Sequence, residues 1–182
     1  MIMDSLLFFD GSMSSAGVLT GTSVNSGTTF TTGANTDSAN ILDVSQIASS
    51  ASGYGRDVGV GDDPALEVYV SIQTQFTGAG ASLQVLLEAA PDSSGSPGNY
   101  TILAESQVYA VAALTQGTEL FRIKIPAAPV TLVPKFYKLT YVVTGANMTA
   151  GAILAGVVLD REALGPGMGY RSGIPSTTLQ YM

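Results

Sequence analysis

Polar and apolar residues alternate with a period of two through the regular segments of the chain. In residues 65–76 one face of the alternation carries the apolar residues Leu66, Val68, Val70, Ile72 and Phe76. The intervening residues are mostly polar. Because successive side chains of a β-strand point to opposite faces, this segment predicts a half-buried antiparallel strand.

Further segments show the same alternation or are rich in β-branched and aromatic residues. The stronger candidates are residues 82–90, 100–109, 118–126, 135–143 and 151–160, and the weaker ones are 5–9, 17–24 and 39–44. The inward positions expected from the pattern are Leu83, Val85 and Leu87, then Phe121, Ile123 and Ile125, then Tyr137, Leu139, Tyr141 and Val143. No segment repeats apolar residues at helical spacing over more than a turn or two. About eight short strands joined by Gly, Ser, Pro and Asn loops predict an all-β fold, an antiparallel jelly-roll β-sandwich.

Two regions do not fit a compact sandwich. Residues 11–40 are dominated by Ser, Thr, Gly and Asn and predict an extended loop near the N-terminus. Residues 163–182 have no period but carry the apolar side chains of Ile174, Leu179 and Tyr181. We therefore expect a sandwich over residues 1–162 and an extended C-terminal arm over 163–182 that lies along a neighbouring subunit. A frayed terminus is the alternative.

The composition favours a surface that is rich in Ser, Thr, Gln and Gly and that is also largely buried against partners. Charged residues make up 12% of the 182 residues and hydrophobic residues 46%, whereas soluble domains average about 25% charged residues. Residues 151–160 are apolar on both faces, with Ile153, Val157 and Leu159 on one and Leu154 and Val158 on the other. The outer face needs a cover, so Leu154 and Val158 predict self-association, with a homodimer favoured over a homotrimer. The alternative is that a loop or the tail of the same chain covers this face.

The charge balance argues against direct binding of nucleic acid. The formal net charge is −7, and nucleic-acid binding requires a basic surface. Four of the seven basic residues fall in one short region: Arg122, Lys124, Lys135 and Lys138. They predict a patch that docks on an acidic protein partner, and glutamine at Arg122 and Lys124 is expected to weaken docking without changing the melting temperature. A solvated strand face is the alternative.

The residue types present exclude several kinds of active site. The chain has no histidine and no cysteine, so nucleophiles that depend on either residue are excluded. Four carboxylates, Asp57, Asp62, Asp63 and Glu67, are candidates for a glycosidase pair. The first three, with the carbonyls of Gly59 and Gly61, are candidates for a calcium site. Turn chemistry accounts for aspartates beside glycines equally well. We expect no catalytic residue, no metal and no cofactor.

The hydrophobic segments are short. The first residues lack the basic flank and the long apolar run of a secretory signal. The apolar run at residues 150–159 is about half the length that crosses a bilayer. We expect no membrane partner.

Three stretches resemble one known protein family. They are "MIMDSLLFF" at the start, "GRDVGVGDDPALEVYVSIQTQF" in the middle and "FYKLTYVVTGANMTAGAILAGVVLD" after residue 135. Together they are similar to the capsid cement, or decoration, proteins of certain tailed bacteriophages, the Bordetella podophage type. The last stretch matches in the strand from Tyr137 to Val143, the Thr149-Ala150-Gly151 turn and the closing Asp160.

The resemblance implies a jelly roll that binds the outside of the phage head and bridges subunits of the major capsid protein. It implies a protein of the capsid exterior, made in the cytoplasm of the host bacterium, with no catalytic residues. The alternative function is a carbohydrate-binding or receptor-binding virion module, which would need a concave site lined by tyrosines.

Overall fold

The described residues form an all-β, antiparallel structure. The structure is a computed structural model, and it describes residues 3–23, 30–43, 66–125 and 134–159. The first sheet has the order β1 (Met3–Asp10), β15 (Ala150–Leu159), β7 (Leu66–Thr77), β13 (Glu119–Lys124), and β4 (Thr22–Ser23) also pairs with β15. The second has the order β11 (Thr101–Glu105), β8 (Ser82–Ala90), β14 (Phe136–Thr144), β5 (Asn35–Asp37), with β12 (Tyr109–Ala110) beside β8 and β6 (Leu42–Asp43) beside β14.

Two small hairpins extend from these sheets. One pairs β2 (Ser12–Met13) with β3 (Leu19–Thr20), and the other pairs β9 (Asp92–Ser93) with β10 (Ser96–Pro97). A 3-10 turn covers Val111–Ala113. The all-β fold expected from the sequence is confirmed for the described ranges.

The two sheets pack face to face around one apolar core. The first sheet contributes Val68, Val70, Ile72 and Phe76, and the second contributes Leu83, Val85, Leu87, Tyr137, Leu139, Tyr141 and Val143. These are positions that the period-two pattern placed inward, and the prediction is confirmed. Burial of alternate side chains on each strand is what holds a two-layer β structure together.

In β13 the inward positions are confirmed, and one further residue is buried. Phe121 and Ile125 belong to the core and Ile123 packs against it. Leu120 is also buried, because the register shifts by one residue between Glu119 and Phe121. Such a bulge places two consecutive side chains against the interior, which a strict alternation cannot show.

Strand β15 buries both of its apolar faces within the single chain. Ile153 and Val157 lie in the core, whereas Leu154 and Val158 on the other face are 6% and 1% exposed. Residues 11–21 cover the face at Leu154: a Cβ added to Gly11 would lie 2.6 Å from Leu154 Cδ1.

Gln73 fastens this cover to the first sheet. Its Nε2 donates to the Leu19 carbonyl at 2.7 Å, and its Oε1 accepts from the Gly21 N–H. The structure therefore supports, at Leu154, the alternative that a loop of the same chain covers the outer face of β15. The apolar outer face that motivated the dimer prediction is buried without a partner.

The interpretation of residues 11–40 as a loop outside the sandwich is wrong for its described parts. Strand β4 joins the first sheet and β5 joins the second. Phe30 is fully buried, with its ring centroid 5.7 Å from that of Phe76 and 5.1 Å from that of Tyr141. Short polar strands are stabilised by backbone pairing to a longer strand, so they leave no apolar alternation in the sequence.

Several sequence-based predictions fall outside the described residues. They concern Asp57, Asp62 and Asp63 of the glycine-rich stretch and Ile174, Leu179 and Tyr181 of the expected arm.

Candidate functional site

The four basic residues expected to form one patch lie on different parts of the molecule. Arg122 and Lys124 are on the outer face of β13 in the first sheet. Lys138 is on the outer face of β14 in the second sheet, and Lys135 directly precedes that strand. The outer faces of two packed sheets point in opposite directions. The prediction of a single patch is therefore wrong, because closeness in sequence does not place residues on the same sheet.

Arg122 is engaged by acidic neighbours on the same face. Its Nε lies 2.6 Å from Glu67 Oε2, and its Nη1 lies 4.0 Å from Glu119 Oε2. Glu67 is a buried residue on β7, paired across the sheet from Lys124. The guanidinium thus neutralises a buried carboxylate, and Glu67, a candidate for a glycosidase pair from the sequence, has Arg122 as a structural partner.

Lys138 is the centre of a polar cluster on the second sheet. The Lys138 cluster consists of Lys138, Asp37, Glu88, Thr140 and Tyr100. Lys138 Nζ lies 2.8 Å from Asp37 Oδ1, 3.3 Å from Glu88 Oε2 and 4.3 Å from the centroid of the Tyr100 ring. The Thr140 hydroxyl donates to Glu88 Oε2 at 2.7 Å and lies 3.1 Å from Asp37 Oδ1. The cluster joins three adjacent strands, β5, β14 and β8.

The electrostatics of the Lys138 cluster keep the lysine charged. Burial lowers the pKa of Lys138, and the hydrogen bond and charge of Asp37 together with Glu88 more than offset it, so its pKa lies above the ordinary value. Burial also raises the pKa of Tyr100. The Tyr100 hydroxyl oxygen is buried and has no hydrogen-bond partner in the described part of the chain. With its side chain 12% exposed between two carboxylates, Lys138 has little freedom to meet a partner.

The other two basic residues, Lys135 and Lys124, differ in their acidic neighbours. Lys135 Nζ lies 3.2 Å from Asp92 Oδ2 at the start of the β9–β10 hairpin. Lys124 is exposed and has no acidic partner within 4 Å among the described residues. Of the four, Lys124 is therefore the basic side chain best placed to contact another protein from the first sheet.

A buried acid that sequence reasoning missed lies at the end of β1. Asp10 is fully buried, and Tyr141 Oη donates to its Oδ2 at 2.6 Å while the Ala39 N–H donates to its Oδ1 at 3.1 Å. Desolvation by burial raises the pKa of Asp10, although hydrogen bonds from Tyr141, Ala39 and Thr22 oppose the rise. Desolvation and the neighbouring carboxylate raise the pKa of Tyr141 well above its ordinary value.

The two missed clusters differ in whether the sequence carried a signal for them. Glu88 and Lys138 both occupy outward positions of alternating strands, so pairing of those strands would have suggested a contact. Asp10 follows an apolar run and precedes a glycine. A solvent-exposed turn residue can have the same sequence neighbours, so they do not distinguish a buried acid from an exposed one.

The tyrosines in the described ranges do not line an open cleft. Tyr137 and Tyr141 are core residues, and Tyr109 donates its hydroxyl to the Leu120 carbonyl at 2.7 Å. Tyr69 and Tyr100 are half-buried on the outer faces of the two sheets. This arrangement gives no support to the sugar-binding alternative within the described chain.

No group of three or more acidic, histidine or cysteine residues in the described ranges could hold a metal ion. No helix in those ranges has the length and apolar character needed to span a membrane.

Comparison with known proteins identifies a family. No curated protein matches the chain. The family model named Bbp16 matches residues 24–157, which is more than half of the 182 residues. Bbp16 is the name of a Bordetella phage protein, and the match is consistent with a phage protein. The extent of the match shows that the chain belongs to the Bbp16 family.

Proposed function

We propose that the chain is a capsid decoration protein, which binds the outside of a phage head and bridges subunits of the major capsid protein. The observation that carries the proposal is the strand order, taken together with the phage family. An all-β phage protein whose chain follows a jelly-roll path is suited to a structural role in the virion.

The strand order supports a jelly roll. With β5 and β6 counted as one strand and β11 and β12 as another, the eight main strands in chain order are β1, β5/β6, β7, β8, β11/β12, β13, β14 and β15. The sheets pair the first strand with the eighth, the second with the seventh, the third with the sixth and the fourth with the fifth, and they are completed by pairing of the eighth with the third and of the seventh with the fourth. Each strand pairs with its mirror image in chain order, as when one long antiparallel hairpin is rolled up into two sheets.

The composition supports a structural role over catalysis. We propose no enzymatic activity, since the chain has no histidine and no cysteine and Glu67 is held by Arg122. We place the protein on the capsid exterior, after synthesis in the host cytoplasm, with the major capsid protein and other copies of itself as its partners.

The proposal is tested by adding the purified protein to heads that were assembled without it. We expect saturable binding at a fixed number of copies per shell subunit and a rise in the temperature at which the shell dissociates, because a ligand that binds only the assembled state stabilises it. Heads that already carry their full complement serve as the control and should take up none. Binding to a defined glycan without any binding to heads would support the receptor-binding alternative instead.

A further inference from the structure

Among the described residues, Asp10 is a buried acid without a basic partner. None of the described basic residues, Arg122, Lys124, Lys135 and Lys138, is among its contacts. An isolated buried carboxylate is costly, and hydrogen bonds to it recover only part of the lost solvation.

The carboxyl group lies where the stretches 11–23 and 30–43 meet the end of β1. Ala39 donates to it from the stretch 30–43, and Thr22 bonds to it from the stretch 11–23. Two further bonds fasten the same junction: the Gly11 N–H donates to Thr22 Oγ1 at 2.8 Å, and the Asn40 N–H donates to the Phe9 carbonyl at 2.9 Å. Asp10 therefore ties both stretches to the end of β1.

Only one other titratable group among the described residues contacts Asp10. This group is the Tyr141 hydroxyl on β14. The other neighbours of Asp10 do not titrate: they are Thr22 on β4, Ala155, which pairs with Asp10 across the sheet on β15, and the backbone N–H of Ala39. Tyr141 keeps its proton at ordinary pH because its pKa is raised well above the usual value. Among the described contacts of this junction, Asp10 is therefore the group whose protonation changes between acid and neutral pH.

We propose that Asp10 is a proton-sensitive clasp, which holds the stretches 11–23 and 30–43 against the end of β1 more firmly when its carboxyl group is protonated than when it is charged. The sign follows from burial. The folded-state pKa of Asp10 is raised above its ordinary value, so the folded clasp binds a proton more readily than the opened one. Its stability is full below the ordinary carboxyl pKa and falls as pH rises through the folded-state value. The clasp acts within the chain and needs no binding partner.

Amide hydrogen exchange on the full chain tests the clasp. The protection of the Gly11 and Ala39 amides, corrected for intrinsic exchange, is measured from pH 7 down to pH 4.5 relative to Ile72, whose amide donates to Thr118. We expect protection of the two amides to rise on acidification, by up to about tenfold per pH unit in the titrating window. In Asp10→Asn, which removes the charge and keeps the shape, protection should not vary with pH.

The control is Glu105→Gln, which removes an exposed carboxylate from β11 and should retain the wild-type pH dependence. The clasp is refuted if the wild-type protection does not change with pH or if Asp10→Asn changes as the wild type does. Should Asp10→Asn fail to fold, a carbon-13 titration of the Asp10 carboxyl in the unmodified chain decides. A midpoint above the ordinary aspartate value supports the clasp, and a midpoint at or below it overturns the proposal.

Discussion

Charged side chains in the described sandwich mostly hold the chain together. Arg122, Lys135 and Lys138 each lie within 3.3 Å of a carboxylate oxygen, so replacing any of them leaves an acid behind. The sequence-based prediction treated Arg122 and Lys124 as equivalent. Their surroundings make them different, since Glu67 beneath Arg122 is buried.

Arg122→Gln should therefore lower stability, in contrast to the expectation from sequence that the melting temperature would not change. The substitution leaves Glu67 buried without its cation, and we expect a loss of about 1–3 kcal/mol in the free energy of unfolding measured with urea. Lys124→Gln is the matched control on the same strand face and should change stability by less than about 0.5 kcal/mol. Equal effects of the two substitutions would show that the Arg122–Glu67 pair does not stabilise the fold.

Tyr141→Phe should destabilise the protein more at neutral pH than in acid. At neutral pH the charged Asp10 loses its 2.6 Å hydrogen bond, which costs about 1.5–3 kcal/mol, whereas a protonated Asp10 loses a neutral bond of about 1 kcal/mol. Tyr137→Phe removes a hydroxyl from the same strand face and should change stability equally at both pH values. Urea unfolding at pH 4.5 and pH 7 measures the difference, and a loss in Tyr141→Phe that is the same at both values contradicts this account.

At the scale of elements, the sequence predicted long strands well and short ones poorly. Strands β7, β8 and β14 carry nine or more residues, enough for the period-two pattern to be unambiguous. Strands β4 and β5 have two and three polar residues and exist because β15 and β14 offer backbone groups to pair with. Pairing that depends on tertiary structure leaves no alternating pattern in the local sequence. The composition of residues 11–40 is therefore typical of a loop even where the chain forms strands.

The close approach of two turns also depends on tertiary structure. Gly145 follows β14 with φ of +84°, and a Cβ there would lie 2.1 Å from the Gly80 carbonyl oxygen in the turn between β7 and β8. Gly117 has nearly the same φ, +83°, but a Cβ there would meet nothing within 4 Å. The two glycines thus share one backbone conformation and differ in crowding.

Gly145→Ala should be clearly more destabilising than Gly117→Ala. The left-handed conformation costs an alanine about 1–2 kcal/mol at either site, and at Gly145 the backbone of the neighbouring turn must also move. We expect Gly145→Ala to exceed Gly117→Ala by more than about 2 kcal/mol in the free energy of unfolding. Similar losses for the two variants would mean that the turns are not in contact.

For the whole molecule, the sequence indicated the fold class but not which residues the fold brings together. The all-β antiparallel structure followed from alternation, but the opposite placement of Lys124 and Lys138 required the strand order. Likewise the apolar outer face of β15 suggested a partner, and the structure covers Leu154 with residues 11–21 of the same chain. A decoration protein built in this way would bind through polar and exposed positions such as Lys124, not through that buried face.

Cryo-electron microscopy of heads with and without the added protein tests the decoration role most directly. We expect extra density on the outer surface of the shell at full and regular occupancy, with the size of the two-sheet sandwich and in contact with more than one subunit of the major capsid protein. Identical reconstructions with and without a saturating excess of protein, or density confined to the tail or the inside of the shell, would contradict the decoration role.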